Sequence, residues 1–495
     1  IGQAYSFAEA TMVNPLIFSK PYKNRGFTNV LIGNTSFNVD LAEGLTFKTL
    51  LGTETHNVAT EVFRPLIFEN DRGEASQGTS YRSSFLNENI LNYTRTFAEQ
   101  HQLGLMGGFT YQNELIRTSG INVSGFANNS TENFNLGVAE TINPPSSGIS
   151  KWAMASWLAR ANYAYADKYL LTASIRADGS SRFGKNNKWA AFPSAALAWK
   201  ASNEPFLQEV KAINELKLRA SIGVTGNTAL SPYQSRDRIS PVRAIYGNGA
   251  EIIGYVPTGI ANPDLKWETT TQLDVGIDLA LFDSRFKVTA DYYMKNTTDL
   301  LASVPLPPSV GFGAMLQNIG EIRNQGFEFN LASDILTRAF KWDAAVRLST
   351  NRNKIISLAG GNDIFSADLN QFRSSMNIAR EGHPFGMFLG LVEDGLNEQG
   401  LIKYVDQNQD GQINALDRVI IGSPYPDLIY GFNSNFSYKN LELNLFIEGV
   451  TGNDIFWATA GTNLNSFQRG TNQFSDLMGN YWTAESPDPN AKYPK

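Results

Sequence analysis

The chain has no cysteine in 495 residues. That excludes disulfide scaffolding, thiolate zinc sites and cysteine nucleophiles, and it is compatible with export through an oxidising periplasm. Long apolar runs are missing as well. No stretch approaches the ~18 residues a spanning helix needs, and a mean hydropathy of −0.25 excludes a helical membrane protein. Positive charge is not in excess: 41 Lys and Arg stand against 47 Asp and Glu, without the basic footprint of a nucleic-acid binder. There are three histidines, His56, His101 and His383, far apart and without metal-ligand spacing. No G-x-S-x-G elbow and no phosphate-binding glycine loop occurs, so acyl transfer and nucleotide chemistry have no support. The sequence opens at Ile1, without a Met or a signal peptide, which reads as a piece of a longer protein.

What is present is alternation. Between Ser156 and Lys200, Trp157, Ala159, Ala161, Tyr163 and Tyr165 fall on one side, with Ser156, Arg160 and Asn162 on the other. After Ala166-Asp167-Lys168, Leu171, Ala173, Ile175 and Ala177 oppose Thr172, Ser174, Arg176 and Asp178. A period of two predicts strands. Runs of about 10 to 14 residues exceed the roughly 5 or 6 of an ordinary soluble strand.

The scheme recurs. Hairpins are predicted at 27–40 with 45–54, 85–97 with 101–116, 156–165 with 169–178, 189–200 with 216–224, 272–281 with 287–292, 320–333 with 341–353, and 428–438 with 441–450. A short helical piece is expected near Glu204 to Ile213. Long polar loops are expected at 55–83 and 117–150, another of roughly 40 residues contains Tyr246 and Tyr255, and a long excursion precedes Leu428. About 14 strands with short turns at one end and long loops at the other describe an all-β, antiparallel transmembrane barrel. Tyr163, Tyr165, Tyr169, Trp267, Tyr292 and Trp342 read as its interfacial girdle. Alternation also fits a soluble or surface-attached all-β glycan-binding protein. Asp274 and Asp278, on one strand face, leave a glycoside hydrolase open on paper, although lumen-facing carboxylates are the simpler reading.

The run KYLLTASIRADGSSRFGKNNKWAAFPSAALAWKASNEPFL resembles the SusC/RagA-type TonB-dependent outer-membrane transporters. So do LKLRASIGVTGN, NPDLKWETTTQLDVGIDLALF, NIGEIRNQGFEFNL, YVDQNQDGQINALDRVIIGSPYPDLIYGF and NYWTAESPDPNAKYPK, in order along the chain. The resemblance implies a plugged barrel of about 22 strands in the outer membrane of a Bacteroidetes-like Gram-negative bacterium. It implies import of glycan or peptide pieces without bond cleavage, energised by TonB-ExbB-ExbD. It also implies a SusD-like surface lipoprotein as lid, and a dimer of such pairs. On this reading residues 1–495 are a partial barrel, with the plug, the first strands and the last strands elsewhere.

Two sets of residues are candidate sites. Asp406, Asn408, Asp410, Gly411 and Asp417 match the calcium-loop pattern at positions 1, 3, 5, 6 and 12, with Gln412 offering a backbone carbonyl. The twelfth position is Asp where Glu is usual, and no flanking helices are expected. The competing reading is an Asx-turn loop bonded to its own backbone. Tyr246, Tyr255, Phe365, Phe372, Phe456, Trp457 and Phe467 are loop aromatics suited to stacking on sugar or peptide groups.

Overall fold

The computed structural model describes residues 22–66, 72–247, 249–366, 375–458 and 475–494. Its frame is one antiparallel sheet whose path follows chain order through fourteen strands. They are β1 Lys23–Ala42, β2 Leu45–Arg64, β3 Glu74–Phe97, β4 His101–Ser124, β5 Ser146–Tyr165, β6 Tyr169–Ser180 and β7 Trp189–Lys200, then β8 Ile213–Asn227, β9 Glu268–Leu281, β10 Phe286–Thr298, β11 Glu321–Thr337, β12 Phe340–Ser357, β13 Leu428–Tyr438 and β14 Leu441–Thr451. Every predicted hairpin is present.

Short turns join one end of the sheet. Ala98 and Glu99, Ala166 and Asp167, the run Phe282 to Ser284, and Lys439 all take positive φ. Such left-handed turn residues match the strand twist of tight hairpins. Among described residues the wider connection, between β7 and β8, carries the expected helical piece as the short turns Ala201–Asn203 and Pro205–Gln208.

At the other end the strands run farther than alternation predicts. β2 continues to Arg64 and β3 begins at Glu74, so the loop expected at 55–83 shrinks to 65–73. β4 reaches Ser124 and β5 starts at Ser146, which likewise trims the loop expected at 117–150. The reason is solvent. Past the lipid both faces of a strand meet water, so the apolar/polar code disappears while the hydrogen-bond ladder persists. The long loops also fold on themselves, as a hairpin of Arg238–Tyr246 with Ala250–Gly259, another of Leu301–Pro305 with Ala314–Asn318, and a four-stranded sheet of Ile364–Phe365, Asn377–Ala379, Met387–Gly390 and Val419–Gly422.

Register confirms the faces. Trp157 pairs with Ala177, Ala159 with Ile175 and Tyr163 with Leu171. Leu273 lies between Ile222 and Met294, and Val275 between Ala220 and Tyr292. Val275 is 51% exposed, so among the described residues no second protein layer covers it. Small buried clusters sit at the long-loop end instead. One of them joins Phe183, Phe192, Leu230, Leu265 and Trp267. This corrects the reading of Trp267, which is buried at 4% exposure and is no part of a girdle. Its indole N–H donates to the Lys188 carbonyl at 3.2 Å.

Candidate transport lumen and extracellular loops

The face opposite Val275 carries charge, and the charges are paired across strands. Arg219 on β8 donates through Nε and Nη2 to both oxygens of Asp278 on β9, at 2.8 and 3.0 Å. Its Nη2 also lies 3.0 Å from Oδ1 of Asp291 on β10, two strands away. Gly276 makes this reach available. It is the β9 residue paired with both Arg219 and Asp291, and a Cβ there would collide with the Asp291 carboxylate and crowd the guanidinium. The next pair of strands repeats the device. Tyr293 OH donates to Asn351 Oδ1 at 3.1 Å, across Gly326.

Other inward groups are tied in the same way. Asp274 accepts from Gln272 at 2.7 Å and from Ser221 at 3.3 Å. Asp274 and Asp278 therefore share a face, as predicted, and both are engaged by wall partners. Arg176 bonds Asp178 at 2.7 Å and Ser156 at 3.0 Å. Glu114 receives Arg82 at 2.6 Å and the Trp152 indole at 3.0 Å. A wall of fixed charges joined by hydrogen bonds is rigid and wettable, which suits the lining of an aqueous passage. Farther up, near the long-loop ends of β2 to β4, a cavity of about 720 Å³ is lined by residues including Arg64, Glu74, Ser76 and Asn122. That is ample for a small ligand.

The outward face is largely apolar, and on β2 to β4 it carries a small group of amides. There Thr49 donates to Asn89 at 2.9 Å, and Asn89 donates to Asn87 at 2.7 Å. Mutual bonding lowers the cost of placing these groups toward lipid. At the short-turn end, the Tyr163 hydroxyl is hydrogen-bonded to His101 Nδ1 at 2.7 Å, and the imidazole stacks on Phe97. Tyr165 lies 6.4 Å from Tyr169, and Trp342 donates to Ser434 at 2.9 Å. The girdle reading agrees with these positions for Tyr163, Tyr165, Tyr169 and Trp342, whereas Tyr292, paired with Val275, stands away from the turns in the middle of the wall.

The rim of short turns is stapled. Glu204, buried between β7 and β8, accepts from the Tyr169 hydroxyl at 2.7 Å, the Lys168 ammonium at 2.9 Å and the Trp199 indole at 3.3 Å. The hydroxyl first and the ammonium second hold its carboxyl below the usual carboxylate range, against the opposing effect of burial.

The predicted aromatics separate into two groups. Tyr255 is 69% exposed on the hairpin of residues 238–259, opposite Pro241, and the Tyr246 backbone lies on the same hairpin. Phe365 pairs with Ile378 in the four-stranded loop sheet. Phe456, beyond β14, approaches Phe388 of that sheet with ring centroids 6.4 Å apart, and Trp457 beside it is exposed. Phe372 and Phe467 lie outside the described residues. Sequence reasoning missed the Arg219–Asp278–Asp291 bridge. The available signal was Gly276, a gap among inward polar residues.

In the segment Asp406–Asp417 the side chains bond the loop itself. Asp406 accepts from the N–H groups of Asp410 and Gly411, Asn408 from that of Asp410, and Asp410 from that of Gln412. Asp417 is fully buried and receives the N–H groups of Gln407 at 2.9 Å and Asn414 at 2.8 Å. Asn414 and Asp417 form a capping box. These are the bonds of the Asx-turn reading. Among the described residues no three His, Cys, Asp or Glu side chains are grouped as for a metal.

Comparison with known proteins accords with this geometry. The family model described as TonB dependent receptor-like, beta-barrel matches residues 13–486. A TonB-dependent receptor of Formosa agariphila is 37% identical over 438 residues, covering 84% of this chain and 44% of the relative. The TonB-dependent receptor SusC of Bacteroides thetaiotaomicron is 32% identical over 317 residues, covering 61% of this chain and 32% of the relative. Among solved structures, the RagAB peptide transporter superposes with a TM-score of 0.81 at 26% identity, covering 91% of this chain and 50% of that one. The chain spans half or less of the length of the curated relatives it matches. It belongs to the TonB-dependent receptor-like β-barrel family, as an outer-membrane protein of the SusC/RagA type.

Proposed function

We propose that this chain supplies much of the wall of an active importer that takes up nutrient oligomers, glycan or peptide, across the outer membrane. The observation that carries this reading is the division of the sheet into a lipid-ready face around Val275 and a bridged polar face around Arg219, Asp278 and Asp291. A SusD-like lipoprotein would cover the long-loop end, TonB-ExbB-ExbD would supply energy, and two such pairs would associate as a dimer. The naming of RagAB as a peptide transporter supports an oligomeric cargo. Tyr246, Tyr255, Phe365, Phe372, Phe456, Trp457 and Phe467 are the aromatics we assign to cargo contact. The chain acts as a transporter and breaks no covalent bond.

The loop Asp406–Asp417 serves here as a structural staple. Its oxygen donors, from Asp406, Asn408, Asp410, Asp417 and the Gln412 carbonyl, have the chemistry of a Ca²⁺ site. Bound Ca²⁺ would fix the loop and take no part in transport chemistry.

The test is uptake by cells carrying the full-length transporter. Labelled oligopeptides and oligosaccharides are supplied with and without a protonophore. Transporter-dependent accumulation of one class, abolished by the protonophore, is expected. Accumulation that ignores the protonophore, or that is absent for both classes, overturns the reading.

A further inference from the structure

Near the long-loop end of β11 and β12, outward residues break the apolar rule with charge rather than amides. On β12 the outward residues are Trp342, Ala344, Val346, Leu348 and Thr350, and then Arg352 and Lys354. Arg323 on β11 pairs with Lys354, and Gln325 with Arg352. Below them Phe327, 46% exposed, and Tyr292, 43% exposed, are paired neighbours on β11 and β10. Ten residues separate Trp342 from Arg352. At ~3.3 Å per residue and a tilt of ~40°, that is about 25 Å, the height of the lipid-facing band of an outer-membrane barrel. The three cations thus stand at the extracellular edge of the hydrocarbon, directly above an aromatic pair.

They are also unneutralised. Among the described residues, none of the three forms an ion pair. Arg323 donates through Nε to Asn296 at 2.7 Å, a neutral partner. A cavity of about 430 Å³ opens beside them, lined by Arg323, Gln325, Arg352, Lys354, Tyr425 and Asp427 among others. Its position follows from the register. β12 pairs with β13 only as far as Ser349 with Ile429, so the β12 backbone above Ser349 has no wall strand on that side. Asp427 is the one carboxylate in the lining, which leaves the crevice with a net charge of about +2.

We propose that this crevice seats the phosphate-bearing headgroup of a lipid in the extracellular leaflet, with Arg323, Arg352 and Lys354 as its ligands. The inference rests on the barrel reading for its orientation and goes beyond transport. Two guanidinium forks and an ammonium provide the donors that a phosphate accepts. The aromatics beneath take the first part of the acyl chains, and above Ser349, where the Gly382–His383 loop borders β12 at Ile355 in place of a wall strand, the crevice leaves room for the head. A free anion would use the same donors but would gain nothing from the adjoining lipid face. The site serves to anchor the wall at one azimuth of the membrane.

The test uses the full-length transporter, with any lipoprotein it retains, extracted in mild detergent. Lipid that stays bound is measured by native mass spectrometry and by phosphorus content. The triple variant R323Q/R352Q/K354Q is expected to lose retained phospholipid or phosphorylated glycolipid by about tenfold to a hundredfold, the scale of three surface cations. The charge-conserving R323K/R352K/K354R should keep most of it. R117Q/K151Q, two exposed outward-row cations on β4 and β5, is the control. Equal loss in that control, or unchanged retention in the triple variant, overturns the proposal. Delipidated protein is also offered lipid with its phosphates enzymatically removed, and inorganic phosphate alone. Strong rebinding of the dephosphorylated lipid overturns it, as does inorganic phosphate binding as tightly as the lipid. Heat-modifiable gel mobility establishes that each variant is folded. Uptake is assayed separately, so failed transport with intact lipid retention bears on the import reading alone.

Discussion

Arg219 and Asp291 meet 3.0 Å apart although a whole strand lies between them. The glycine that lets them meet, Gly276, is buried and has no side chain to block the span. Substituting Gly276→Leu should separate the pair and overfill the row, at a cost of about 1–3 kcal/mol. The check is the temperature at which the detergent-extracted, full-length barrel loses its compact gel mobility. It should fall for Gly276→Leu and fall less for Asp291→Asn, which keeps a hydrogen-bonding side chain.

The two faces of the wall at β9 and β10 should respond oppositely to charge. Val275→Arg places a cation toward mid-bilayer and should cost about 2–4 kcal/mol, seen as poor membrane assembly. Thr289→Arg, on the inward face of β10 opposite Asp278, should assemble normally. Equal assembly of the two variants would mean that Val275 does not face lipid.

Glu204 makes the short-turn rim sensitive to acid. Its carboxyl titrates below the ordinary range in the folded state, so folding favours the ionised form. The stabilisation is fully present above the unfolded carboxylate's pKa and is lost as pH falls through the lower, folded one. Gel-mobility midpoints should therefore drop on acidification in the native protein. Glu204→Gln should start lower at neutral pH and change less with acid.

The loop Asp406–Asp417 is testable by limited proteolysis of the intact transporter. Added Ca²⁺ should slow cleavage within residues 406–417 and a chelator should restore it, whereas Asp410→Ala should be cut quickly in either condition. A cleavage rate indifferent to Ca²⁺ would leave the hydrogen-bonded turn as the whole account of this segment.

Cargo contact by the loop aromatics predicts that Tyr255→Ala and Trp457→Ala each raise the half-saturating cargo concentration while membrane assembly is unchanged. Stacking contributes about 0.5–1.5 kcal/mol per ring, so the shift should be roughly twofold to tenfold.

The wall was legible in the sequence and the loops were not. Val275 and Asp278 declared their faces because lipid and water impose opposite demands on neighbouring residues, and the turn at Phe282–Ser284 marked the reversal. The same code hid the ends of β2 and β3, where Thr60 and Gly78 meet in a ladder with water on both sides. Trp267 looked interfacial because Trp often is. Its packing on Phe183 and Phe192 depends on residues some 75 to 84 positions earlier in the chain, which no local pattern reports. Bridges such as Arg219 to Asp291 need register between distant strands, and only the glycine in the gap hinted at one.

β1 and β14 each have a paired neighbour on one side only within the described sheet, along 20 and 11 residues respectively. In hydrocarbon, an amide or carbonyl left without a mate costs several kcal/mol, and these two margins carry many. Neither border can be bathed in acyl chains for long. Entry into the bilayer and the pairing of each margin therefore have to advance together, so assembly is decided at the margins before any passage through the middle exists.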